Sequence, residues 1–134
     1  ELLDKTKICL GELDPFFANC LKKMEEMSHL DLDSRKGKAP GGYNMPLAES
    51  GAPFIFMNAA GQMSDVTTMV HESGHAVHSF LAHPLALNAF KEYPTEMAEV
   101  ASMAISSSVR FGSKQLTVIT ARRSAGRIWS SISL

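Results

Sequence analysis

The spacing of apolar residues near the start of the chain predicts two consecutive amphipathic helices. Residues 2–13 carry leucine and isoleucine at broadly helical intervals. Asp14 and Pro15 are typical of an N-cap and of the first position of a following helix. Because both helices have one apolar face, we expect each to pack against a core. The apolar side chains of the second helix recur at helical spacing: Phe16, Phe17, Cys20, Leu21, Met24 and Met27.

The helical pattern is interrupted at residues 31–53. Charged residues and turn formers fill this segment, which predicts a loop with a short extended piece over residues 43–47. The apolar run Phe54–Met57 follows a proline, is too short for a helix and therefore predicts a strand.

Two further helices follow the predicted strand. Helical spacing predicts one over residues 65–82, capped by Ser64 or Asp65, and another over residues 95–107. The whole pattern indicates a mainly α fold with a small β element.

The helix predicted over residues 65–82 contains the sequence His71-Glu72-Ser73-Gly74-His75. Two histidines four positions apart lie on one helical face, about 6 Å apart at their Cα atoms, so both can bind one Zn²⁺. Zinc lowers the pKa of water to about 7, and the Glu72 carboxylate can then take a proton during attack on a peptide carbonyl. The motif therefore predicts zinc ligands at His71 and His75 and a general base at Glu72. A solvated helical face with two surface histidines is the alternative.

A zinc hydrolase needs a third protein ligand. His78 lies roughly 10 Å along the helix from His71, so three histidines cannot share one ion, and we expect His78 beside the ligands or the substrate. Acidic residues further along can return to the motif if the next helix packs on the first. Spacing alone does not choose among these candidates: Glu92, Glu96 and Glu99.

Four segments occur in one order along the chain. They are Gly37-Lys38-x-x-Gly41-Gly42-Tyr43, Pro53-Phe54-Ile55-Phe56-Met57-Asn58, Asp65-Val66-x-x-Met69-Val70-His71-Glu72-x-Gly74-His75-x-x-His78 and Pro94-Thr95-Glu96-x-x-Glu99-Val100-Ala101-Ser102. This series resembles the thimet oligopeptidase and oligoendopeptidase F family of zinc peptidases over about residues 1–104.

The resemblance implies a fragment of a gluzincin-type catalytic domain, in which the helix bearing the motif packs on a second, ligand-bearing helix. It implies that Glu99 is the third zinc ligand and that Glu96 lies next to the ligands or in the cleft. It also implies that residues 37–58 border a cleft for short peptides.

Within this border, an edge strand over residues 54–58 could pair with an extended peptide through backbone hydrogen bonds. A core strand with buried side chains is the alternative. Glycine permits a tight turn or close approach of a peptide backbone. The residues expected to contact substrate are Gly41, Gly42, Tyr43, Phe56 and Asn58.

Composition narrows the classes of partner. The net charge of −1 argues against a nucleic-acid binder, and no stretch has the roughly 18–20 apolar residues that a membrane helix needs.

Cys9 and Cys20 lack zinc-site spacing and would be roughly 16 Å apart on one straight helix. We therefore expect two buried free thiols and a cytoplasmic protein.

Charge is distributed unevenly along the chain. All 14 acidic residues lie within residues 1–99, whereas residues 100–134 are basic and rich in serine. We expect a partial metallopeptidase catalytic domain over residues 1–104 and a tail over residues 105–134 that is foreign to the family. A tail that binds an anionic partner is the alternative. The basic residues of the tail are Arg110, Lys114, Arg122, Arg123 and Arg127.

The resemblance also implies a downstream loop whose histidine and tyrosine stabilise an oxyanion. The tyrosines of this sequence, Tyr43 and Tyr93, both precede Glu99. We therefore expect an incomplete catalytic domain that needs its remainder as a partner. The predicted function is a zinc-dependent endopeptidase for short peptides. An inactive zinc-binding fragment and a helical interaction module without metal are the alternatives.

Overall fold

The computed structural model describes residues 1–87, 89, 91, 93–111 and 116–118. Glu92, one of the candidate ligands, lies outside the described residues, as do four basic residues of the tail: Lys114, Arg122, Arg123 and Arg127. The described part is mostly helical with a small sheet, as the sequence predicts. The elements in chain order are α1 (Leu2–Leu13), α2 (Pro15–Glu26), β1 (Leu30–Asp33), β2 (Tyr43–Met45), β3 (Phe54–Ala59), α3 (Met63–Ala82), α4 (Thr95–Ser108), β4 (Val109–Phe111) and β5 (Leu116–Val118).

The first two helices form the predicted pair. Asp14 has an extended backbone that ends α1, and its carboxylate accepts a hydrogen bond from the Phe16 N–H at 2.8 Å at the start of α2. Cys9 and Cys20 are buried and free, and burial raises their pKa values to about 11 and about 12. Both thiols therefore act as small apolar groups in the core.

The sheet contains a strand that the sequence analysis missed. Leu30–Asp33 forms β1, which pairs in parallel with β3, while β2 pairs with the other side of β3 in antiparallel fashion. β3 is therefore central, and the expectation that residues 54–58 form an edge strand is wrong. Ile55 and Met57 are buried, which agrees with the alternative of a core strand. The expected extended piece over residues 43–47 is confirmed for its first three residues, which form β2.

Helix α3 starts two residues earlier than predicted. Its N-cap is Gln62, and Asp65 lies at the third helical position, where it completes a capping box. The Asp65 carboxylate accepts hydrogen bonds from the Ala60 and Gln62 N–H groups at 2.8 Å each. Both bonds lower the pKa of Asp65, and the bond from Gln62 has the larger effect. The predicted end of the helix at Ala82 is confirmed.

Helix α4 packs along α3 and leads into β4, which pairs with β5 in antiparallel fashion. It runs through position 104 to Ser108, and Val109 of β4 is buried with Cys9 and Val70. The expected domain boundary at residues 104 and 105 stays a prediction. None of the helices in the described part of the chain is long and apolar enough to cross a membrane.

Candidate metal centre and cleft

Helices α3 and α4 approach each other closely within the motif itself. Gly74 faces Ser102, and a Cβ atom added to Gly74 would lie 2.5 Å from the Ser102 Cα atom. Because that neighbour is backbone, a side chain at position 74 would have to push the helices apart. Glycine here therefore lets α4 bring Glu99, one turn before Ser102, up to the two histidines.

Gly74→Ala is expected to separate the helices and to weaken metal binding. Overpacking typically costs about 1–3 kcal/mol, which exceeds the gain of about 1 kcal/mol from replacing a helical glycine by alanine. We expect a loss of zinc affinity of about tenfold or more, the scale seen when groups that orient ligands are lost. Calorimetric zinc titration measures it.

Gly11→Ala is the matched control for this substitution. Gly11 lies in α1, and its added Cβ would meet only the Ala18 Cβ, at 3.3 Å. This variant should keep the zinc affinity of the wild type. Equal affinities for wild type and Gly74→Ala would show that the helix contact does not set the ligand geometry.

Three side chains from α3 and α4 converge on one point. The Nε2 atoms of His71 and His75 lie 3.2 Å apart, with their rings nearly perpendicular at 88°. One carboxylate oxygen of Glu99 lies 3.4 Å from His71 Nε2, and the other lies 3.5 Å from His75 Nε2. The two predicted histidines and the acid implied by the resemblance are therefore brought together.

These separations suit a metal ion. Ligand atoms placed tetrahedrally at about 2.0–2.1 Å from Zn²⁺ lie about 3.3–3.4 Å from one another. The distance between the two histidine Nε2 atoms is close to this value, and so are the distances from these atoms to the Glu99 carboxylate oxygens. One ligand atom from each of the three residues can be chosen so that all of them lie within 4.8 Å of one another. The residues therefore fit a metal ion held by two imidazoles and a carboxylate.

The electrostatics of His75 also suit metal binding. Burial, and then the neighbouring His71, lower the pKa of His75, while Glu99 and a hydrogen bond to the Ala98 backbone oppose the shift. A neutral imidazole is the form that binds metal. The surroundings of His75 therefore favour the protonation state that metal binding needs.

Glu72 lies next to the three convergent side chains, on the same helix. The residue is only 7% exposed, and burial raises the pKa of its carboxyl; the charge of His71 opposes this and that of Glu99 adds to it. A raised pKa makes a carboxylate a stronger base. Glu72 thus has the environment expected of a proton acceptor.

A cavity of about 460 Å³ opens over this cluster. Its floor contains the motif and Glu99, and its rim contains Gly42 and Tyr43, two of the residues expected to contact substrate. Sequence reasoning missed the other lining residues, which come from β2, from the start of α4 and from the residues around them: Asn44, Pro46, Tyr93, Thr95 and Ala98.

Asn44 is the most informative of the missed residues. Its side-chain amide donates to the Glu72 backbone carbonyl at 3.4 Å, which ties β2 to α3 beside the candidate base. The sequence analysis predicted the extended piece, but alternation along a strand places Asn44 and Tyr43 on opposite faces, so the expected substrate contact of Tyr43 did not point to Asn44.

The remaining residues expected at the substrate make internal contacts instead. Asn58 donates from its amide to the carbonyls of Ala39 and Gly41 at 2.8 and 2.9 Å. Gly41 has a φ of +102°, which agrees with the tight turn expected there. Phe56 stacks on Tyr43 with ring centroids 4.9 Å apart. None of these three lines the cavity.

His78 and Glu96 lie outside the ligand cluster. The His78 ring meets Tyr93 edge to face at 4.1 Å between centroids, and burial, followed by the charge of His75, lowers its pKa. Glu96 is exposed in the first turn of α4. Glu99, and not Glu96, is the acid that faces the histidines.

Comparison with known proteins agrees with this arrangement. The profile of peptidase family M3 matches residues 17–109. The chain belongs to peptidase family M3. Oligopeptidase PepF of Bacillus subtilis (strain 168) is 35% identical over 97 residues, which cover 69% of this chain and 14% of that protein. The chromosomal oligoendopeptidase F of Lactococcus lactis subsp. cremoris is 33% identical over 73 residues, or 54% of this chain and 12% of that protein.

Solved structures of peptidases share the fold of most of this chain. PZ peptidase A, solved with an inhibitor, superimposes with a TM-score of 0.72 at 31% identity over 78% of this chain and 18% of that chain. The chain therefore spans between about one eighth and slightly less than one fifth of the length of these relatives.

Proposed function

We propose that this chain carries the metal ligands and the general base of an M3 zinc endopeptidase that cleaves short peptides. His71, His75 and Glu99 would hold one Zn²⁺, and Glu72 would be the base. The observation that carries the proposal is the set of separations near 3.4 Å among the ligand atoms of the first three residues. Its relatives are oligopeptidases and oligoendopeptidases by name, which favours short peptides as substrates.

The ion and the side chains have separable tasks. When bound, zinc would supply the Lewis acidity that makes water a nucleophile near neutral pH. Glu72 takes the proton of the attacking water and returns it to the leaving amine. Burial raises the pKa of Glu72, which makes its carboxylate a stronger base for this transfer. Glu99 and the histidines hold their positions because α4 packs closely on α3.

The position of β2 supports recognition of an extended peptide. Within the described residues β2 pairs with β3 alone, so its other edge presents backbone groups next to the cavity that Gly42, Tyr43 and Asn44 line. An added strand gains backbone hydrogen bonds with little demand on sequence. β2 thus takes the role that the sequence analysis gave to residues 54–58.

Removal and return of zinc test the proposal. The purified chain should hydrolyse an internally quenched short peptide, lose this activity with a chelator and regain it with one equivalent of Zn²⁺. Each missing oxyanion donor typically lowers turnover by about 10²–10³-fold, so the assay should be run at high enzyme concentration.

Two other outcomes would contradict parts of the proposal. Zinc bound at one ion per chain without any hydrolysis would identify an inactive zinc-binding fragment. No zinc binding at all would identify a helical interaction module in which the histidines bind no metal.

A further inference from the structure

Lys38 is a charged residue outside the candidate metal centre whose side chain is buried against the sheet. Its side chain is 1% exposed. The ammonium group donates to the backbone carbonyls of Asp31 at 3.0 Å and of Asp33 at 2.8 Å, and also to that of Met57. The Asp31 carboxylate accepts a further bond at 3.0 Å. Four acceptors thus surround the three N–H donors of the ammonium group, so one N–H is shared between two acceptors and the group is held in one position.

The contacts of Lys38 coincide with an irregularity in the sheet. The parallel register between β1 and β3 shifts between Asp31 and Asp33, which interrupts the regular ladder of hydrogen bonds. The ammonium group supplies donors to carbonyls at this interruption. Asp31 is fixed in turn by Arg35 through two bonds of 2.6 and 2.9 Å. Lys38 therefore joins β1 to β3 where the ladder alone does not.

A chain of contacts leads from Lys38 to the cavity. The Lys38 Nζ atom lies 4.5 Å from the centre of the Phe56 ring, and Phe56 stacks on Tyr43 with an interplanar angle of 11°. Tyr43 is 46% exposed and lines the cavity. Asn58 fixes the intervening turn through its bonds to Ala39 and Gly41.

We propose that Lys38 is a positioning residue that holds Tyr43 at the rim of the peptide cleft through Phe56. The Lys38 ammonium group holds the Phe56 ring in place through a cation–π contact, and the Phe56 ring holds the Tyr43 ring in place by stacking. The expected effect on substrate binding rests on the proposed peptidase function, whereas the expected position of Tyr43 does not.

Fluorine NMR of the full chain labelled with fluorotyrosine tests the position of Tyr43 without any activity. The sequence has two tyrosines, Tyr43 and Tyr93, so two resonances are expected, and a Tyr43→Phe variant assigns them. Lys38→Met should shift the Tyr43 resonance and leave that of Tyr93 unchanged. Lys36→Met removes the same charge from an exposed residue two positions away and should change neither.

An unchanged Tyr43 resonance in folded Lys38→Met would overturn the proposal. Removal of a buried charge leaves its partners unsatisfied, so this variant can unfold. Phe56→Leu then takes its place, because it breaks the same chain of contacts and leaves the ammonium group paired. A wild-type Tyr43 resonance in Phe56→Leu would equally overturn it.

Kinetics on the internally quenched peptide separate positioning from simple stability. Lys38→Met should raise KM by about 2–10-fold, the scale of one aromatic contact, with kcat and zinc content unchanged. In a double-mutant cycle with Tyr43→Ala the two effects on KM should not add, because both act through one ring. Additive effects would contradict a route through Tyr43. If the wild type hydrolyses no peptide, the proposed function fails and the fluorine spectra still decide the role of Lys38.

Discussion

Glu72→Gln should retain one zinc ion per chain and lower the turnover of a short peptide by about 10²–10⁴-fold, the usual contribution of a general base. Glutamine has the size and shape of glutamate, so the buried position can accept it without a cavity. The Glu72 backbone carbonyl would keep its bond from Asn44. Only the ability to take a proton is lost, and the effect should therefore fall on kcat.

Glu96→Gln is the matched control for this experiment. It removes one negative charge from an exposed carboxylate in α4 that lies outside the cavity lining. Its turnover should stay close to that of the wild type. Steady-state kinetics with zinc determined on the same samples give both quantities. Turnover retained by Glu72→Gln at full zinc content would refute the assignment of the base.

The helices could be predicted from the sequence because their information is local. Apolar spacing and the pair Asp14 and Pro15 define α1 and α2, and the first part of the candidate site, His71 to His75, lies within a single helix. The N-cap of α3 was harder to predict from the sequence. Gln62 is not a preferred N-cap residue, and its role depends on the return bond from Asp65.

The sheet was harder to predict because charge obscured a strand. Leu30 and Leu32 alternate with Asp31 and Asp33, which is the period of a strand, but the charged residues that follow favoured a loop. Asp31 is paired with both Arg35 and the buried Lys38, so its negative charge is compensated within the fold. Missing β1 led directly to the wrong expectation that β3 lies at an edge.

The third ligand could not be derived from spacing because it depends on how two helices pack. Successive residues of a helix turn by about 100°, so Glu99 lies close to the face of Ser102 and Glu96 lies further round. Ser102 sits against Gly74, and this contact directs Glu99 toward the histidines. The resemblance to a family pointed to Glu99, the acid that faces the histidines, whereas the residues alone left three candidates. Asn44 and Tyr93 reach the cavity from opposite sides of the motif in the sequence, so only the fold shows that they meet.

His75→Ala should abolish stoichiometric zinc binding. With one imidazole removed, two ligand atoms remain, fewer than the three protein ligands that a catalytic zinc site uses. The loss should exceed the roughly 10–100-fold decrease that follows from losing an outer partner of a ligand. Atomic absorption after dialysis measures the zinc content, and Glu99→Gln should show a similar loss.

His78→Ala is the sharpest control for this loss, because it removes an imidazole from the same face of the same helix. His78 contacts Tyr93 and lies outside the cluster of His71, His75 and Glu99. It should therefore keep its zinc. The separations of 3.2–3.5 Å are also hydrogen-bond and ion-pair distances, and in the alternative arrangement the three side chains hold one another without an ion. Equal zinc contents in wild type and His75→Ala would favour that arrangement, whereas loss in His75→Ala and Glu99→Gln with retention in His78→Ala requires an ion bound between α3 and α4.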